Sequence, residues 1–141
     1  VVVKELAKNR VSYPGPLDVV HEWAYLPDYI EALIRLATIR ATLEPFATFG
    51  FPGHAVTGQE FIAAIAKASG RSLKVNQINW WMMRTFGSIW KMGRELTDIG
   101  YLWQVPHRID GAKLAAAIGK VPHTPLDTAI ARALRELGAI A

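Results

Sequence analysis

Hydrophobic and polar positions follow two rhythms along this chain, one of helical spacing and one of simple alternation. Residues 1 to 10 place Val2, Val3 and Leu6 on one side and Lys4, Lys8 and Arg10 on the other, as the last turns of a helix would. Pro14, Gly15 and Pro16 then break the pattern, because proline cannot continue a helix. "VVHEWAYL" carries the β-branched and aromatic residues of a short extended segment. In "PDYIEALIRLATIRATLEP" the residues Ile30, Leu33, Ile34, Ala37 and Ala41 recur at helical spacing, which predicts a helix buried along that stripe and stopped at Pro45. "FATFGF" predicts a short buried strand, ended by the break at Pro52 and Gly53.

The clearest local signal is "TGQEFIAAIAKASG". Thr57 and Glu60 have the spacing of a capping box, Phe61, Ile62, Ile65 and Ala68 form an apolar face, and Gly70 stands where a left-handed cap closes a helix. "SLKVNQI" alternates as a strand. It leads into "INWWMMRTFGSIW", where Met82, Phe86, Ile89, Gly93 and Leu96 predict the core face of a helix running to about Ile99. "YLWQVPHRI" is an irregular link. Asp110 is placed to cap "GAKLAAAI", closed by Gly119, and Thr124 and Pro125 open a last helix with Leu126, Ile130, Leu134 and Leu137 on one face. The sum is five helical segments and about three short strands. That is an α/β chain, α+β if it stands alone, and mostly helical.

Composition narrows the function classes. With 141 residues and 51% hydrophobic content, the chain suffices for one domain with a real core. The net charge of +4 comes from basic residues scattered from Lys4 to Arg135, and the last two helices mix Lys113, Arg132 and Arg135 with Asp127 and Glu136. That distribution speaks against nucleic acid as the partner. Arg84 interrupts the aromatic stretch, so no run reaches the ~18 to 20 apolar residues of a spanning helix, and no membrane partner is expected. The absence of cysteine excludes disulfides and thiolate metal sites. The first residues form no signal peptide, and a cytoplasmic location is the default reading.

Motifs for chemistry are sparse. "HEWAY" lacks the second histidine of the H-E-x-x-H zinc pattern, having Tyr25 there, so no metal site is expected. His54, His107 and His123 stand beside Gly or Pro and read as turn and surface residues. "GFPGHAVTG" has the setting of a phosphate-binding turn, but Gly50, Gly53 and Gly58 are wrongly spaced for G-x-G-x-x-G and Pro52 offers no N–H. No Tyr-x-x-x-Lys, P-loop or nucleophile elbow occurs, and no catalytic residue is assigned.

The order of three segments does resemble a known family. Trp23, Tyr25 and Asp28 form a W-x-Y-x-x-D segment leading into a helix. Gly53, Thr57 and Glu60 open the next helix. Asp110, Lys113, Gly119, Pro122, Thr124 and Leu126 match D-x-x-K-x-x-x-x-L-G-x-x-P-x-T-x-L, with Ile118 in place of its leucine. In this order they resemble the C-terminal part of extended short-chain dehydrogenase/reductases, the NAD(P)-dependent epimerase/dehydratase-like proteins, over nearly the whole chain.

The resemblance implies a two-lobed enzyme. Its N-terminal Rossmann lobe would carry the glycine-rich turn and the catalytic Tyr-x-x-x-Lys, ahead of Val1, and the present chain would be the C-terminal substrate lobe. NAD or NADP would belong to the longer protein, with none expected on this piece, which alone should be inactive. Expected partners are a small-molecule substrate, the Rossmann lobe, and a second copy where an apolar patch is left open. The candidate substrate-binding residues are His21, Trp23, Tyr25, Trp80, Tyr101, Trp103 and Arg108. The alternatives are a non-catalytic relative that senses dinucleotide and a free-standing helical binding module.

Overall fold

A computed structural model describes residues 2–77 and 100–140 and gives a mixed α/β fold. Its described elements are strands β1 (Arg10–Tyr13), β2 (Val20–Trp23), β3 (His54–Thr57) and β4 (Lys74–Gln77), and helices α1 (Leu26–Thr38), α2 (Gly58–Ser69), α3 (Ala112–Ile118) and α4 (Leu126–Glu136). The strands make two small ladders. β1 runs parallel to β4 with Val11 opposite Val75, and β2 runs antiparallel to β3 with His21 opposite Val56 and Trp23 opposite His54.

Helix α2 forms for the reason its sequence gives. Thr57 accepts from the Glu60 N–H, and the Glu60 carboxylate accepts from the Thr57 N–H, at 3.2 and 2.8 Å. Two of the donors that a helix start leaves open are thereby satisfied. Gly70 closes the helix at φ 63°, a left-handed conformation that costs glycine nothing. Along α2, Ile62 and Ile65 face inward against Leu134 of α4 and against Leu6, Val11 and Tyr13 of the N-terminal segment. Burial of these side chains is the main stabilising term, at about 1.5–3 kcal/mol each. Lys67 and Asp127 add an exposed ion pair between α2 and α4, which contributes little beside it.

Several expectations need correction. Residues 1–10 do not end a helix: Leu6–Lys8 make one 3-10 turn, left-handed Asn9 ends it, and β1 begins at Arg10. "FATFGF" is irregular, with Phe46 almost fully exposed. The break at Pro52 and Gly53 is followed at once by β3, where the glycine-rich sequence predicts a turn. Asp110 sits one residue before the helix cap at Gly111 and still accepts from the Ala112 N–H at 2.9 Å. The expected helix from Met82 to Ile99 lies outside the described residues.

The largest surprise is α1. It buries Asp28 and Ala32, while Leu26, Ile30, Leu33 and Ile34 stay exposed, so the predicted core stripe faces solvent. The buried face is chosen by a polar contact. Asp28 Oδ2 accepts from the Thr124 N–H at 2.6 Å, and its Oδ1 accepts from the Thr124 hydroxyl at 2.7 Å. One carboxylate thus joins the start of α1 to the loop before α4, and it also lies in the first turn of α1, where a negative charge is favoured.

Candidate functional site

Beside β2 the chain leaves a cavity of about 300 Å³, lined by His21, Glu22, Trp23, Leu102, Trp103 and His107. Three of the lining residues come from consecutive positions of one strand. The others come from the link between Gly100 and Asp110, whose N-terminal half is a 3-10 turn over Gly100–Trp103. The link is held against β2 by backbone and side-chain bonds. The His107 N–H donates to the Val20 carbonyl at 3.2 Å, and Glu22 Oε2 accepts from the Ile109 N–H. The other oxygen of Glu22 accepts from the Gly53 N–H at 2.7 Å. Glu22 therefore fastens both the link and the entrance of β3 to one strand.

An aromatic cluster forms the walls. Trp23 stacks on Phe61 at 4.4 Å between centroids and 10° between planes. Trp103 meets Tyr13 and His21 edge-on at 5.9 and 5.4 Å, the tilted arrangement that ring quadrupoles prefer. Nδ1 of the fully buried His21 is 3.1 Å from the Tyr13 hydroxyl. Among the described residues, the buried nitrogens His21 Nε2 and Trp23 Nε1 have no hydrogen-bond partner.

His21 does not stand alone: the His107 ring is 5.0 Å away. Burial, reinforced by His107, pushes the His21 imidazole below its ordinary value, while backbone groups of Leu102 and Trp103 oppose that shift. His21 is accordingly neutral near pH 7. The chain's other two histidines form a second pair, His54 and His123, at 4.5 Å. Burial and His123 lower His54 as well, against the pull of Asp28. His54 is therefore a buried strand residue rather than a turn residue, and His107 and His123 are exposed but each face a buried partner.

Of the candidate residues, His21, Trp23 and Trp103 come together at the cavity. Tyr25 precedes α1 as its capping position, and Tyr101 and Arg108 are exposed and do not line the cavity. Trp80 lies outside the described residues. Sequence reasoning passed over Tyr13, Glu22, Leu102 and His107. The only available signal was alternation: in β1 and β2 the inward positions Val11, Tyr13 and His21 are separated by Pro14, Gly15 and Pro16.

The glycines of "GFPGHAVTG" serve packing. A Cβ on Gly53 would lie 2.4 Å from the Trp23 carbonyl oxygen, and one on Gly58 would lie 2.6 Å from the Tyr13 ring. The close approach these glycines allow is to the protein's own atoms, so the turn does not fit a dinucleotide phosphate. Among the described residues no group of three His, Asp or Glu is arranged to hold a metal, and no helix is long and apolar enough to cross a membrane. No protein-family model matches the chain, and neither a curated protein nor a solved structure does so.

Proposed function

We propose that this chain is the substrate-binding lobe of an NAD(P)-dependent oxidoreductase or epimerase, and that the cavity beside β2 receives its alcohol or carbonyl substrate. The observation that carries the reading is the convergence of His21, Trp23 and Trp103 on one aromatic-walled cavity. His21 and Trp23 lie in a segment that resembles extended short-chain dehydrogenase/reductases, and Trp103 lies in the polar-aromatic link suited to gripping a ligand. A few hundred cubic ångströms of mostly apolar lining suits a small organic ligand. The indole faces would offer contact area with little loss of side-chain freedom, and the link carrying Leu102, Trp103 and His107 would exclude water.

The dinucleotide would supply or accept the hydride, held by residues upstream of Val1 together with the catalytic Tyr and Lys. The residues of this chain would bind and orient the substrate. A neutral His21 suits that role, since it places no charge against an apolar ligand.

The test is the open reading frame and its product. The reading requires roughly one further Rossmann-sized domain upstream, about 150 residues, carrying G-x-x-G-x-x-G and Tyr-x-x-x-Lys. That product should oxidise or reduce NAD(P) with a panel of small alcohols and ketones, and Trp103→Leu should raise KM more than it lowers kcat. A frame that begins at or just before Val1 would remove the oxidoreductase reading.

A further inference from the structure

The link between Gly100 and Asp110 is laid on the molecule rather than built into it. Gly100 is buried and Trp103 half-buried, while Tyr101, Leu102 and every residue from Gln104 to Asp110 are exposed. It is tied to β2 by the His107 N–H on the Val20 carbonyl, by the Ile109 N–H on Glu22, and by the rings of Trp103 and His107 against His21. Exposed segments held by few bonds open well before a whole chain unfolds.

We propose that this link is an acid-released strap, which closes the cavity while His21 and His107 are uncharged and lifts off β2 when His21 takes a proton. The strap carries Leu102, Trp103 and His107, three of the six residues lining the cavity, so lifting it dismantles the cavity. That the cavity holds a ligand rests on the function proposed above; release of the strap does not.

His21 is buried and its ring lies 5.0 Å from that of His107, so a proton on each would set two positive charges side by side across the seam between strap and strand. Among the described residues, the groups around His21 are the Tyr13 hydroxyl from β1, the His107 ring and the Leu102 and Trp103 backbone from the strap, uncharged Val56 opposite it on β3, and Glu22 beside it on β2. Burial keeps the Tyr13 phenol protonated, and both oxygens of Glu22 are engaged by the Gly53 and Ile109 N–H groups. The Leu102 and Trp103 backbone favours a charged His21 ring, and burial together with His107 outweighs it. Lifting the strap returns His21 to water. The open form then binds a proton that the closed form resists, and acid shifts the balance toward opening.

The other histidine pair is built differently. His54 and His123 lie 4.5 Å apart, but Asp28 faces His54 and offsets part of its resistance to charge. The same carboxylate holds the Thr124 N–H and hydroxyl, which keeps the loop before α4 docked. Release is thereby confined to the strap.

Amide hydrogen exchange on the ligand-free chain, corrected for the intrinsic dependence of exchange on pH, tests the proposal. With an ordinary histidine in the open form and an unprotonated one in the closed form, opening rises by up to roughly 25-fold from pH 7 to pH 5. The His107 and Ile109 N–H groups should be less protected than those of α2 at both pH values. On acidification they should lose protection by about tenfold or more, and Thr124 should lose less. His107→Gln removes the second ring and should reduce the loss, and His21→Gln should abolish it. Should His21→Gln fail to fold, the comparison of His107→Gln with wild type decides. The proposal is overturned if protection at His107 is the same at pH 7 and pH 5, if it is lost only together with that of α2, if Thr124 loses as much, or if His107→Gln responds like the wild type. With no ligand present, each of these results is independent of whether the cavity binds a substrate.

Discussion

Removing the Asp28 carboxylate should do more damage than a single side chain at the edge of a helix normally would. Asp28→Ala deletes both acceptors that hold Thr124, leaves the Thr124 N–H without its partner, and takes a favourable charge from the first turn of α1. A hydrogen bond to a charged group contributes about 1.5–3 kcal/mol net, and the helix-terminus term adds about 0.5 kcal/mol. Thr124 is half-buried, so water can recover part of the loss, and the expected cost is about 3 kcal/mol. For a chain of this length that corresponds to a melting temperature lower by roughly 10 °C. Asp28→Asn keeps the shape and one acceptor, and should cost about half as much. Thr124→Val removes only the hydroxyl. Urea unfolding of both single variants and of the Asp28→Ala/Thr124→Val double variant gives the coupling energy, expected at about 1 kcal/mol or more. An Asp28→Ala variant within about 0.5 kcal/mol of wild type, or strict additivity, would refute the claim that this pair decides which face of α1 is buried.

Other consequences follow from the same geometry. His21 and His54 are held neutral by burial, so the unfolded chain binds more protons than the folded one once pH falls below their ordinary value of 6.5. Stability should be level from pH 8 to 7 and decline as pH drops through 6.5, with the slope reduced in His54→Gln; a melting temperature flat down to pH 5 would contradict the burial of His21 and His54 as neutral imidazoles. Gly53→Ala drives a Cβ into the Trp23 carbonyl and should cost about 1–3 kcal/mol or prevent folding, read by thermal unfolding of the purified variant. Glu22→Gln places an amide N–H₂ where one of two backbone donors now finds an acceptor, and should speed hydrogen exchange at Gly53 or Ile109 while α2 amides stay unchanged.

What could be read from the sequence was what local chemistry decides. The capping box at Thr57 and Glu60 and the glycine close at Gly70 are set by residues within a few positions of one another and formed as expected, while "SLKVNQI" gave a strand at Lys74–Gln77 whose residues are all exposed rather than alternating. Elements whose reason is a distant partner were not legible. β1 exists because Val11 and Tyr13 pair along β4 and bury against α2, more than fifty residues away, and "RVSY" alone carries little strand signal. The burial of α1 was assigned to the wrong face because hydrophobic periodicity cannot foresee that a carboxylate will be satisfied by Thr124. "FATFGF" read as a strand on composition, yet Phe46 is exposed and Phe49 and Phe51 wall a groove.

The site divides the same way. Trp23 and Trp103 were legible as large aromatics in an extended and a linking segment. His107 was not, since its meaning lies in a ring 5.0 Å away on β2. Tyr13 escaped for a similar reason: its hydroxyl meets His21 across the Pro14 to Pro16 turn.

The central claim is that the cavity of His21, Trp23, Trp103 and His107 binds a small organic molecule. The most direct test titrates the isotope-labelled chain with small alcohols and ketones bearing an apolar ring while amide, indole and imidazole NMR signals are followed. The account predicts saturable shifts at Trp23 Nε1, the Trp103 indole and the His21 and His107 rings, with signals of α4 unmoved, and their loss in Trp103→Leu. Saturable shifts confined to other residues, or none at millimolar ligand, would contradict it.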